Sequence, residues 1–215
     1  MSQVTNRGPY AKTAAKRASI ARAALDVVLE RGHRGLTTAE VAERAGVSER
    51  TMLYNFPSRD HLLVAALELE ESEAMEFWPE GRTDTLEDAL SSIPGFVAAR
   101  GGAHPEIIRL FSYLSSAAQD PAHPAHAFML KHNERAISGF SRLVQRWQEA
   151  GLARPDVDPR SVGRQLLAVW SGLQGQWLVD PSFNLVDEVS EAFRRLSGQR
   201  SMEAKQRLDE LISQF

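Results

Sequence analysis

The stretch from Thr37 to Phe56, Thr-Thr-Ala-Glu-Val-Ala-Glu-Arg-Ala-Gly-Val-Ser-Glu-Arg-Thr-Met-Leu-Tyr-Asn-Phe, leaves the chain little choice of local structure. Thr37 is placed to cap a helix, with Glu40 three residues on to complete a capping box. Val41, Ala42 and Ala45 then fall on one helical face. Gly46 supplies the left-handed backbone that ends a helix, Val47 fills the corner, and Ser48 is a second cap. Behind that cap, Met52 and Phe56 form the inward face of the next helix. Ala42 is small where two helices cross steeply at a short turn. The pattern is a helix-turn-helix, a motif that presents its second helix to the major groove of double-stranded DNA.

The same run resembles the N-terminal domain of the TetR family of bacterial transcriptional regulators. The resemblance is carried by an amphipathic helix before the motif, Leu36-Thr37-Thr38, Val41-Ala42, Ala45-Gly46-Val47-Ser48, Thr51, Tyr54, and Phe56-Pro57-Ser58-Arg59 followed by a long apolar helix; it spans Lys12 to Leu63. Two positions depart from the pattern: Leu53, where the family usually has an aromatic, and Asn55, where it commonly has His. The resemblance implies an all-α chain, with a helix-turn-helix DNA-binding domain over residues 1–58 and a helical ligand-binding and dimerisation domain over 59–215. It also implies a homodimeric repressor of a palindromic operator, released by a small organic effector and needing no cofactor.

Composition agrees with these expectations. A chain of 215 residues, 43% hydrophobic, can bury a substantial core as one large or two modest domains. It has no cysteine, which removes disulfides, thiolate metal sites and thiol nucleophiles. The first residues lack the apolar core of a signal peptide, and no uncharged apolar run approaches the ~18 residues of a spanning helix, so a cytoplasmic protein is expected. The net charge of −3 hides an asymmetry. Residues 1–57 hold 9 Lys/Arg against 5 Asp/Glu, a net of +4, whereas the remaining 16 Lys/Arg and 23 Asp/Glu give −7. Positive charge is thus concentrated around the motif, as a phosphate-binding module requires. No convergent acid–base pair or nucleophile argues for an enzyme.

Apolar periodicity predicts helices at about 13–31, 38–45, 49–55, 58–77, 84–100, 105–119, 124–151, 159–179 and 185–197, with a charged, weakly amphipathic stretch at 201–212. The first of these ends at Gly32, and Pro79-Glu80-Gly81 breaks the helix that begins at Ser58.

Once Met52 and Phe56 face inward, Glu49, Arg50, Thr51, Leu53, Tyr54 and Asn55 are expected to face out. Arg50 and Asn55 have the chemistry for base edges, Arg to guanine and Asn to adenine. Alternatively, Arg50 and Glu49 pair with each other on a solvated face. Ser48, Thr37, Thr38 and Arg59 stand at helix starts, where hydroxyls, N–H groups and cations meet the DNA backbone. Lys12, Lys16 and Arg17 are placed to reach phosphates or the minor groove, or merely solubilise the terminus.

In the C-terminal part, the resemblance implies a ligand cavity with apolar walls and a few polar handles. Its candidate lining is Phe96, Phe111, Leu114, Phe128, His132, Trp170 and Gln174, although aromatics at helical spacing also serve as ordinary core. Ala168, Gly172 and Gly175, with Val189 and Phe193 on the next helix, suit either a dimer interface or close packing within the chain. His123 and His126, beside Asp120 and His132, invite comparison with a metal site. Pro121 and Pro124 put them in a loop, so a surface histidine cluster is expected and no metal.

Overall fold

The computed structural model describes residues 9–76 and 104–213, with side chains described from Thr13 to Glu73 and from His104 to Ser213. Every regular element among the described residues is a helix: α1 (Pro9–Gly35), α2 (Thr38–Arg44), α3 (Glu49–Asn55), α4 (Arg59–Glu76), α5 (Pro105–Ala117), α6 (Ala125–Glu149), α7 (Pro159–Val179), α8 (Leu185–Leu196) and α9 (Gln199–Ile212). The expected helix at 84–100, with Phe96, and the break at Pro79–Gly81 lie outside the described residues. The side chain of Lys12 lies outside them too. None of the described helices is long and apolar enough to cross a membrane.

Gly32 marks the expected end of the first helix by its backbone, at φ 74° and ψ 165°, but the chain resumes helical turns to Gly35. That left-handed conformation costs a glycine little. Contacts group the chain into two compact units: Met1–Phe77 with Arg109–Phe128, and Trp78–Ile108 with Met129–Phe215. In the first, α1 packs on α2 and α4, and α2 on α3. Ile20, Val27, Val28, Val41, Met52, Leu62 and Leu63 are fully enclosed there, which is the apolar periodicity of the sequence turned inward.

In the second unit α7 packs on α8, and α8 on α9. Its core gathers Phe140, Val144, Trp147, Val162, Leu166, Trp170, Val189 and Phe193, and the Phe140 and Phe193 rings meet edge to face at 5.1 Å. Val189 and Phe193 therefore belong to the interior of their own chain rather than to a surface free for a second subunit. The glycine that lets helices approach is also a different one. A Cβ on Gly163 would lie 2.7 Å from the Ile137 carbonyl of α6, whereas at Gly172 or Gly175 it would meet nothing within 4 Å among the described residues.

Candidate nucleic-acid interface

The motif is built by its own hydrogen bonds. Thr37 Oγ1 accepts from the N–H of Glu40 at 3.3 Å, and Ser48 Oγ accepts from the N–H of Thr51 at 3.2 Å, so both expected caps are formed. Between them Gly46 turns left-handed at φ 64°, and the N–H of Val47 reaches back to the Ala42 carbonyl at 3.0 Å. Only half of the capping box is made. The Glu40 carboxylate pairs with Arg31 at 3.1 Å and with Arg44 at 3.3 Å, because those cations outcompete a main-chain N–H for it.

The outward face of α3 divides into fixed and unengaged groups. Glu49 accepts a 2.9 Å hydrogen bond from the Thr38 hydroxyl, which fastens the start of α3 to the start of α2. Arg50 is exposed, and among the described residues its guanidinium has neither a hydrogen bond nor an ion pair; the expected alternative, a Glu49–Arg50 pair, is not formed. Tyr54 is 85% exposed and Leu53 41%. Thr51 is half-buried, its hydroxyl 2.9 Å from Ser48 Oγ. Met52 and Phe56 face the core as expected.

Two expected contacts turn inward instead. Asn55 is 9% exposed rather than outward-facing, and its Nδ2 donates to the Thr51 carbonyl at 2.8 Å. One of the two amide N–H groups is thereby held within α3, and the side chain is turned away from a base edge. Arg59 Nε donates to the Leu36 carbonyl at 3.1 Å and its Nη2 to the His33 carbonyl, so this guanidinium satisfies carbonyls in the last turn of α1 and just beyond it. The main chain from Leu36 to Arg59, which includes both motif helices, is closed at its ends by that side chain.

Much of the positive charge around the motif is committed to the fold. Arg44 holds Glu30 with two hydrogen bonds of 2.7 and 2.5 Å, which lowers the Glu30 pKa and raises that of Arg44. Arg22 pairs with Glu73 and Arg17 with the end of α3. Lys16, Arg34 and Arg50 are left with no hydrogen bond or ion pair to their charged groups among the described residues. Arg34, which sequence reasoning passed over, therefore joins the cations available to a polyanion. The signal in sequence was its place in the last turn before Leu36.

The other candidate residues fall into both units. Phe111 is half-buried, Leu114 fully buried and Phe128 5% exposed in the first; His132 is half-buried and Trp170 and Gln174 are each 8% exposed in the second. The Gln174 side-chain amide has no hydrogen-bond partner among the described residues. The histidines form no solvated cluster. His126 Nδ1 lies 2.8 Å from the Ala118 carbonyl, and His123 accepts from the N–H of Ala125 with its Nε2 3.3 Å from Asp60. On α7, Ala168 and Gly172 are exposed, Gly175 is half-buried and Val179 is 87% exposed.

Comparison with known proteins adds an independent line. The family model described as "Bacterial regulatory proteins, tetR family" matches residues 20–66, the segment holding the motif. The chain is 28% identical over 166 residues to the HTH-type transcriptional regulator RutR of Escherichia coli (strain K12), covering 74% of this chain and 73% of RutR. A transcriptional regulator of Saccharomonospora viridis crystallised with choline shares the fold, with a TM-score of 0.67 at 19% identity, covering 85% of this chain and 95% of that one. So does FadR of Thermus thermophilus, a TetR-family repressor crystallised with lauroyl-CoA, with a TM-score of 0.59 at 20% identity and coverage of 84% and 92%.

Proposed function

We propose that this chain, which belongs to the TetR family and is a DNA-binding transcriptional regulator, works as a homodimeric repressor of a palindromic operator and is released from it by a small organic effector. The observation that carries the reading is the outward face of α3, where an Arg50 unpaired among the described residues and a Tyr54 that is 85% exposed stand on a helix held from behind. A guanidinium with no partner among the described residues is free to fork onto a guanine edge. An exposed tyrosine offers a hydroxyl to phosphate and a ring to a thymine methyl. Residues 1–58 form the reading head in this account, with Thr37, Thr38, Ser48, Glu49, Thr51, Leu53 and Lys12 completing its DNA face, while Asn55 and Arg59 hold it in shape.

Dimerisation follows from reach. A recognition helix of seven residues spans a few base pairs, so useful specificity needs two half-sites related by the protein's twofold axis. The surface along Ala168, Gly172, Gly175 and Val179 supports this, since small residues facing open space let a second copy approach closely. Residues 59–215 are assigned the effector. The two solved relatives carry chemically unlike ligands, a quaternary ammonium and an acyl thioester, which supports a binding body whose lining varies. In this chain, Trp170 with the Gln174 amide one turn on, unpaired among the described residues, suits an apolar wall with one polar handle.

Selection of bound duplexes from random DNA, followed by titration between about 50 and 200 mM salt, tests the reading. A palindromic sequence whose affinity falls steeply with salt is expected. No enriched sequence, or affinity indifferent to salt, contradicts it.

A further inference from the structure

A helix as short as α3, Glu49–Asn55, does not hold itself in water, so its orientation depends on what grips its two ends. Ser48 grips the start. The end is gripped from another element: Arg17, on α1, donates through Nη1 to the main-chain carbonyl of Asn55, the last residue of α3. The same guanidinium lies over the Phe56 ring, with Cζ 4.2 Å from its centroid. Phe56 is 4% exposed, so that ring is a fixed platform. A cation at a helix C-terminus complements the partial negative charge of the terminal carbonyls. Stacking on a ring while donating in a fixed direction is a property of the planar guanidinium that an ammonium lacks.

We propose that Arg17 is a positioning residue for DNA recognition: it sets the angle at which α3 presents Arg50 and Tyr54, and contributes through α3 rather than by touching a phosphate. The inference rests on α3 being the DNA-reading helix. It separates Arg17 from its neighbour Lys16, whose ammonium is unengaged among the described residues.

The test measures affinity of wild type, Arg17→Ala, Arg17→Lys and Arg17→Gln for the duplex that the wild type selects from random DNA and for a scrambled duplex, over a range of salt. Loss of a positioning group lowers affinity of Arg17→Ala for the selected duplex by about tenfold and leaves the scrambled duplex within about twofold, because misaimed base contacts cost discrimination first. The slope of log affinity against log salt stays that of the wild type, and Arg17→Lys, which keeps the charge without the fork, does not restore the ratio. A slope reduced by about 0.9, with both duplexes weakened equally, makes Arg17 a phosphate contact and overturns the proposal. Unchanged affinity for the selected duplex also overturns it. Should Arg17→Ala fail to fold, Arg17→Lys and Arg17→Gln give the same readout. A wild type that selects no sequence sinks the reading of α3 itself, a result distinct from a selecting wild type with indifferent variants.

Discussion

Tyr113 donates its hydroxyl proton to Asp60 Oδ1 across 3.1 Å, tying α5 to the first turn of α4 just beyond the motif. The other Asp60 oxygen faces His123 Nε2 at 3.3 Å. His123 Nδ1 accepts from the N–H of Ala125 at 3.1 Å. The Tyr113 ring also stacks on His33, with centroids 5.1 Å apart. Burial, and then the neighbouring Asp60 carboxylate, push the Tyr113 phenol above its ordinary pKa. Tyr113→Phe is expected to cost about 1 kcal/mol in denaturant unfolding. Combined with Asp60→Ala the losses should not add fully, since both remove this bond. In Asp60→Asn the Tyr113 phenol should titrate lower than in the wild type. Additive losses and an unmoved phenol would mean that the contact is not formed in solution.

Gly163 has no room for a methyl group: a Cβ would stand 2.7 Å from the Ile137 carbonyl and 2.9 Å from Ser141 Oγ. Ser141 already donates to that carbonyl at 2.7 Å, so neither neighbour yields easily. Gly163→Ala should therefore destabilise by about 1–3 kcal/mol despite the better helix propensity of alanine. A Cβ at Gly172 meets no described atom of its own chain within 4 Å, so any loss from Gly172→Ala comes from contact with a second copy and should depend on protein concentration, unlike that of Gly163→Ala. Thermal unfolding of the two variants over a range of protein concentration distinguishes them, and equal shifts throughout would contradict the packing described.

Glu191 accepts hydrogen bonds from Arg200 of α9 and Arg195 of its own helix, which lower its pKa from 4.5 to about 2. A carboxylate whose folded value lies below its unfolded one adds stability above the unfolded value and loses it as pH falls towards the folded one. The melting-temperature difference between wild type and Glu191→Gln should therefore be full at neutral pH, shrink below about 4.5 and vanish near 2. Because the group is only partly buried, added salt should also shrink it. A difference independent of pH would count against the pairing.

Asn55 is predicted to matter for stability and not for base choice. Its Nδ2 is held by the Thr51 carbonyl at 2.8 Å, so Asn55→Ala should cost about 1 kcal/mol of stability while selecting the same DNA sequence as the wild type. Loss of one preferred base in the selected duplex would show that the side chain swings out on binding.

What was legible in the sequence was what neighbours in sequence decide. Thr37, Ser48 and Gly46 cap and turn by bonds to residues a few positions away, and Met52, Phe56 and Val41 are buried at helical spacing. Distant partners decided the rest. Arg59 left the DNA face because it meets the carbonyls of His33, in the last turn of α1, and of Leu36, just beyond it, and Glu40 left its box because Arg31 and Arg44 lie beside it. Gly172 and Gly163 look alike in a helical sequence, and only the course of α6 past one of them makes it indispensable. Val189 and Phe193 share one face of α8, but periodicity does not say whether that face meets the same chain; here it meets Phe140.

The most direct measurement is the affinity of Arg50→Ala for the duplex that the wild type selects from random DNA, compared with the same duplex altered one base pair at a time. If the outward face of α3 reads base edges, Arg50→Ala binds more weakly by about 1–3 kcal/mol and loses its preference for guanine at one position of each half-site. Wild-type affinity and an unaltered base preference in Arg50→Ala would contradict the account.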